Sequence, residues 1–104
     1  MPKIINNHKN LLSEISNSKL TLVDFFADWC GPCRIQGPII DELEKEISDV
    51  NFLKVNVDQN QESAQVYSIR SIPSLILFKD GKILSQKPGF QSKGQLISWI
   101  KAHK

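Results

Sequence analysis

Two cysteines, Cys30 and Cys33, are the residues of this 104-residue chain whose type and spacing most directly suggest chemistry. Only Gly31 and Pro32 separate them, so a disulfide between them would close a very short loop and add little stability. Thiols at this spacing either alternate between dithiol and disulfide or supply two ligands to a metal. The pair therefore points to catalysis or metal binding rather than to a structural cross-link.

Metal binding is disfavoured by what the rest of the chain offers. A closed zinc site needs four ligands, and the two histidines, His8 and His103, lie near opposite ends of the chain. Inert thiols in the core remain an alternative, but the intervening Gly-Pro and the flanking Trp29 favour an exposed turn. We expect a redox-active pair and no metal.

The position of Cys30 predicts a different chemical role for each of the two thiols. Residues 20–27 form a nearly continuous apolar run typical of a strand buried on both faces, and apolar residues at helical spacing follow the dithiol as far as Ile47. N–H groups at the start of a helix stabilise a thiolate. Cys30 is therefore predicted to attack a substrate disulfide, and Cys33, one turn later, to resolve the mixed disulfide.

Asp24 is an unusual residue for the middle of a buried strand. Burying a carboxylate costs several kcal/mol unless the group is paired or protonated. Burial should also raise its pKa towards neutrality, which would make Asp24 a proton acceptor for Cys33. A purely structural pairing with a lysine such as Lys54 is the alternative, and the two roles are compatible.

The remaining pattern predicts the element order β-α-β-α-β-α-β-β-α. The predicted strands are residues 4–5, 20–27, 51–57, 75–78 and 83–86, and the predicted helices are residues 8–15, the run from Pro32 to Ile47, 61–67 and 93–102. Ser92 is the expected N-cap of the last helix. Alternating strands and helices followed by a hairpin predict an α/β fold with a mixed sheet covered on both faces. Pro73 marks a special turn before the fourth strand, with its peptide bond either cis or trans.

Composition limits the class of protein further. The chain is 40% hydrophobic and 23% charged, which predicts one globular domain over residues 1–104. A net charge of +2 with scattered basic residues argues against a nucleic-acid partner. The longest apolar run is too short to span a membrane, and the N-terminus has no apolar signal region. We expect a cytoplasmic protein, monomeric by default.

Residues spread over nearly the whole chain resemble the thioredoxin family in order and spacing. They are Val23, Asp24, Phe25, Ala27, Trp29, Cys30, Gly31, Pro32, Cys33, Pro38, Val57, Asp58, Ile69, Arg70, Ile72, Pro73, Phe78, Lys79, Asp80, Gly81 and Gly89. The resemblance implies the thioredoxin fold, with a central mixed sheet of five strands flanked by four helices and a cis Pro73 beside the dithiol. It also implies a substrate groove formed by Trp29, Ile72, Pro73 and Gly89.

The same resemblance implies a protein-disulfide reductase without a bound cofactor. Electrons would come from NADPH through thioredoxin reductase and pass to protein disulfides. Gly31, Pro32 and Lys54 would tune the redox chemistry, with Lys54 as the buried partner of Asp24.

Some positions depart from the family pattern. Gln36 and Phe90 are expected near the groove, where they would bear on substrate preference. They are the only support for a partner-specific relative. A non-enzymatic docking subunit is a further alternative, and such a role would survive replacement of both cysteines by serine.

Overall fold

The computed structural model describes residues 1–104 and contains the nine elements that the sequence predicts, in the predicted order. The strands are β1 (Lys3–Ile4), β2 (Leu20–Phe26), β3 (Val50–Asn56), β4 (Ser74–Lys79) and β5 (Lys82–Pro88). The helices are α1 (His8–Ile15), α2 (Gly31–Glu46), α3 (Gln61–Val66) and α4 (Lys93–His103). Predicted and observed boundaries differ by at most two residues, because hairpin strands continue past their apolar residues for as long as their backbones pair.

The five strands form one mixed sheet in the order β1-β3-β2-β4-β5. β2 pairs in parallel with β3 and antiparallel with β4, so it occupies the centre of the sheet. A central strand is covered on both faces, which explains the nearly uninterrupted apolar sequence of β2. The expected mixed sheet of five strands flanked by four helices is confirmed.

Successive side chains of β2 point to opposite faces of the sheet and join two separate hydrophobic cores. Leu20 and Leu22 belong to the core beneath α2 and α4, whereas Val23 and Phe25 belong to the core beneath α1 and the segment that follows α3. Asp24 follows Leu22 by two residues, so it shares the face covered by α2. The strand pleat therefore directs this carboxyl group towards the helix that follows the dithiol.

Each helix begins at a residue whose side chain accepts a hydrogen bond from the first turn. Asn7, Cys30, Asn60 and Ser92 are these N-caps. Ser92 was predicted, and with Gln95 it forms a full capping box. Three of the caps are ordinary polar residues, and the fourth is one of the two thiols.

No helix in the structure combines the length and the apolar character needed to cross a membrane.

Candidate active site

The dithiol lies where the central strand gives way to α2. Cys30 is the N-cap of the helix, and its Sγ accepts a hydrogen bond from the backbone N–H of Cys33 at 3.2 Å. A disulfide joins Cys30 to Cys33 across a Cα–Cα distance of 5.2 Å. The N–H group that Cys30 caps is thus positioned to stabilise negative charge on Cys30 Sγ once the disulfide is reduced.

The expectation of an exposed turn holds for only part of this segment. Gly31 and Pro32 are exposed, but Cys30 and Cys33 are only 4% and 5% exposed. Their side chains pack with Ala27 into a small apolar cluster. The cysteines are covered because surrounding segments fold over the helix start, and a local sequence pattern does not show those segments.

One of these covering segments is the loop that carries Pro73. The Ile72–Pro73 peptide bond is cis, as the family resemblance implies. The Sγ of Cys30 lies 3.7 Å from the carbonyl oxygen of Ile72. The backbone N–H of Gly89 donates to the carbonyl oxygen of Pro73 at 2.8 Å. Two segments that are distant in sequence therefore meet beside Cys30.

Trp29 forms the exposed margin of the site. Its side chain is 68% exposed, and its indole Nε1 donates to Asp58 Oδ2 at 2.9 Å. The backbone N–H of Asp58 in turn donates to Asn56 Oδ1 at 2.9 Å. The loop after β3 therefore fixes the orientation of the ring, and a small pocket of about 150 Å³ opens between Trp29 and Ile72.

Asp24 is buried beneath α2, and its Oδ1 atom has no hydrogen-bond partner. Burial raises its pKa from 3.8 to about 7 by desolvating the charged form. The ammonium group of Lys54 lowers this pKa, and the charge of Asp41 raises it. The carboxyl group can therefore exchange a proton near neutral pH.

Lys54, expected beside Asp24, has its direct ion pair with a different carboxylate. The two residues are opposite each other in the β2–β3 ladder, yet the Nζ of Lys54 lies 2.8 Å from Oδ1 of Asp41. This contact is an ion pair outside hydrogen-bonding geometry. Lys54 is long enough to reach the helix above the sheet, so it neutralises Asp41 and leaves Asp24 unpaired.

These groups line one pocket of about 270 Å³ together with Cys33. Cys33, Gly37 and Asp41 follow one another at four-residue intervals on α2, so they lie along one face of the helix, and all three line this pocket. Asp41 was missed by sequence reasoning, although its helical spacing from Cys33 was a usable signal. Its ion pair with Lys54 depends on the packing of α2 over β3, which no local pattern reveals.

Gln36 was expected beside the groove, but the structure buries it completely. Its side-chain amide bonds the backbone of Gln91 twice, accepting from the N–H at 2.8 Å and donating to the carbonyl oxygen at 3.1 Å. Phe90 is 43% exposed and lies next to Gly89, in the segment that contacts the Pro73 loop. Of the two residues, Phe90 alone is available at the surface.

A disulfide between the N-cap and the first turn of a helix, with an ionisable carboxyl group in the adjoining pocket, defines a thiol–disulfide oxidoreductase.

The family model described as Thioredoxin matches residues 3–102. Thioredoxin from Mycoplasmoides gallisepticum is 44% identical over 99 residues, covering 95% of this chain and 99% of the relative. Thioredoxin from Rickettsia prowazekii is 45% identical over 101 residues, covering 93% and 96%.

Solved structures agree with these sequence matches. The Fasciola hepatica thioredoxin superposes with a TM-score of 0.92 and is 39% identical, covering 98% of this chain and 99% of the other. The chain belongs to the thioredoxin family. It is accordingly a disulfide oxidoreductase with a redox-active cysteine pair.

The burial of Asp24 predicts that stability falls as the pH rises. The folded chain holds this proton up to about pH 7, whereas the unfolded chain releases it near 3.8, so ionisation opposes folding between these values. Asp24→Asn removes this effect. Its stability advantage over the wild type should grow by about 4 kcal/mol from pH 4 to pH 8. Urea unfolding of the wild type and of Asp24→Asn, each in its disulfide form, measures the difference in their free energies of unfolding across this pH range. A difference that does not change with pH would contradict the assignment.

The Lys54–Asp41 ion pair predicts a second titration effect. Asp41→Asn removes a negative charge near Asp24 and releases Lys54 to approach it, and both changes lower the pKa of Asp24 below 7. Carbon-13 NMR titration of the Asp24 carboxyl group measures this value. Asp28→Asn is the matched control, since Asp28 is an exposed carboxylate that lines the same pocket. An unchanged or higher pKa in Asp41→Asn would show that the ion pair does not withhold Lys54 from Asp24.

Proposed function

We propose that this chain is a general protein-disulfide reductase in which Cys30 attacks, Cys33 resolves and Asp24 accepts a proton. The observation that carries the proposal is the shared pocket, in which the unpartnered Asp24 carboxyl group and Cys33 line the same space behind the helix start. Membership of the thioredoxin family supports the direction of the reaction.

In the first step, the Cys30 thiolate attacks one sulfur of a substrate disulfide. A bond forms between Cys30 Sγ and that sulfur, the substrate S–S bond breaks, and the second substrate sulfur leaves as a thiolate. The N–H of Cys33 and the start of α2 stabilise the attacking thiolate, which supports Cys30 as the nucleophile.

In the second step, Cys33 loses its proton to Asp24 and attacks Cys30 Sγ. The Cys30–Cys33 disulfide forms, the mixed disulfide breaks, and the remaining substrate sulfur leaves as a thiolate. The substrate gains two electrons and the dithiol loses two. With a pKa of about 7, Asp24 is partly ionised at neutral pH, so it can accept this proton and later release it.

The substrate groove in this proposal is made of Trp29, Ile72, Pro73 and Gly89. The carbonyl of Ile72 beside Cys30 and the exposed indole of Trp29 support this assignment. An extended substrate segment could pair with the backbone of the Pro73 loop while its disulfide contacts Cys30.

The wider context is proposed from the family. Thioredoxin reductase, using NADPH, would return the disulfide to the dithiol, and the chain would act as one domain, residues 1–104, in the cytoplasm. Gly31 and Pro32 would keep the helix start well ordered and so influence the reduction potential.

The division of labour between the thiols can be tested by trapping. Cys30→Ser should abolish reduction of protein disulfides, because the attacking thiolate is missing. Cys33→Ser should accumulate a covalent mixed disulfide with the substrate, since nothing resolves it. Mass spectrometry of non-reduced reaction mixtures detects the adduct. An adduct with Cys30→Ser and none with Cys33→Ser would reverse the assigned roles.

The role of Asp24 predicts a selective kinetic defect. Asp24→Asn should slow resolution of the mixed disulfide more than the initial attack, because only Cys33 needs a proton acceptor. Rapid mixing of the reduced protein with a protein disulfide, followed by acid quenching at a series of times, separates the two steps. The mixed disulfide appears with the first step and disappears with the second. In the wild type the resolution rate should rise with pH through about 7. Equal slowing of both steps would count against proton transfer to Asp24.

A further inference from the structure

We propose that Gln36 is a positioning residue that fixes the Gly89–Phe90 side of the substrate groove to α2, and thereby sets the affinity for protein disulfides. The inference rests on the proposed function and extends it to a residue outside the reacting groups. Gln36 contacts neither cysteine through a hydrogen bond and acts through the backbone of Gln91.

The contact between Gln36 and Gln91 is a two-point amide pairing. Both polar ends of the Gln36 side chain are used, the oxygen by the Gln91 N–H and the nitrogen by the Gln91 carbonyl. The side chain is fully buried, so water does not compete for either bond. The pairing joins residues 55 positions apart and lies one turn beyond Cys33 on α2.

The short segment next to this pairing is held at both ends. At one end the N–H of Gly89 donates to the carbonyl of Pro73. At the other end Gln36 holds Gln91, after which Ser92 begins α4. Phe90 lies between the two attachments with 43% of its surface exposed. The segment therefore presents a large apolar side chain from a backbone that is tied to both the Pro73 loop and α2.

An apolar residue at position 36 would remove one of the two attachments. The N–H and carbonyl of Gln91 would lose their buried partners, and the segment would have to move towards water to recover hydrogen bonds. Substrate binding would then have to order a loose segment, whereas in the wild type that ordering is completed on folding. The loss should appear in binding of large substrates rather than in the chemical steps.

The experiment compares Gln36→Met with the wild type, since methionine has a similar length and makes neither hydrogen bond. Each protein is fully reduced, freed of reductant and mixed with insulin as the protein disulfide over a range of concentrations. We expect the half-saturating concentration to rise about fivefold and the limiting rate to change by less than about twofold. The matched control is Gln65→Met, the same substitution at an exposed position of α3, where the side chain makes no hydrogen bond, and it should leave both parameters unchanged.

Other outcomes separate this inference from the proposed function. A lower limiting rate with an unchanged half-saturating concentration, or no change in either parameter, would overturn the positioning role of Gln36. A wild-type protein that reduces neither insulin nor a small disulfide such as 5,5′-dithiobis(2-nitrobenzoate) would overturn the proposed function itself. If the wild type reduces the small disulfide, the proposed function stands, and an unexpected result with Gln36→Met then counts against the positioning role alone.

A second variant and a second measurement keep the test decisive if Gln36→Met does not fold. Gln36→Glu keeps the shape of the side chain and one acceptor but lacks the donor, and the same change in half-saturating concentration is expected. In the wild type, the amide hydrogen of Gln91 should exchange more slowly than that of Phe90, because Gln36 protects it. Equal exchange of the two amides would contradict the attachment.

Discussion

The carboxyl group of Asp24 lies in the middle of the central strand, where it is buried and forms no direct ion pair. An ion pair with Lys54 would offset the cost of burial, but it would also favour the ionised form and lower the pKa of Asp24. Lys54 instead reaches Asp41 on α2. The fold therefore accepts a destabilising group in its core, and that group retains a pKa close to neutrality.

The helix that begins at the dithiol connects this buried carboxyl group to the surface. Its first residues order Cys30 and Cys33, and the face carrying Cys33 and Asp41 covers the pocket above Asp24. At Gln36, the same helix holds the segment before α4. A displacement of α2 would thus alter the thiols, the pocket above Asp24 and the segment that carries Gly89 and Gln91 together.

The surface around Cys30 is assembled from segments that are far apart in the chain. Trp29 is oriented by the loop after β3, and Gly89 bonds the backbone of Pro73. The bond between Gly89 and Pro73 joins two backbone groups, which almost any residue type can supply, so it leaves no compositional trace. Gly89 is a partial exception, since its φ of +87° lies in the region that favours glycine.

The sequence by itself determined the element order, the dithiol and its placement at a strand-to-helix junction. These features follow from local periodicity, as the apolar run of residues 20–27 and the helical spacing after Cys33 show. It also identified Asp24 as a candidate functional residue, because burying a carboxylate in such a strand is costly.

Only the tertiary structure decided how the charged and polar groups pair. Lys54 lies opposite Asp24 in the ladder, and it binds Asp41 because α2 packs across β3 within reach of its side chain. The sequence alone suggests that Gln36 is a surface residue of a helix. In the structure, the segment before α4 packs over this position and buries it. Such partners are selected by distances between elements, which depend on the packing of the whole chain and not on the spacing of residues along it.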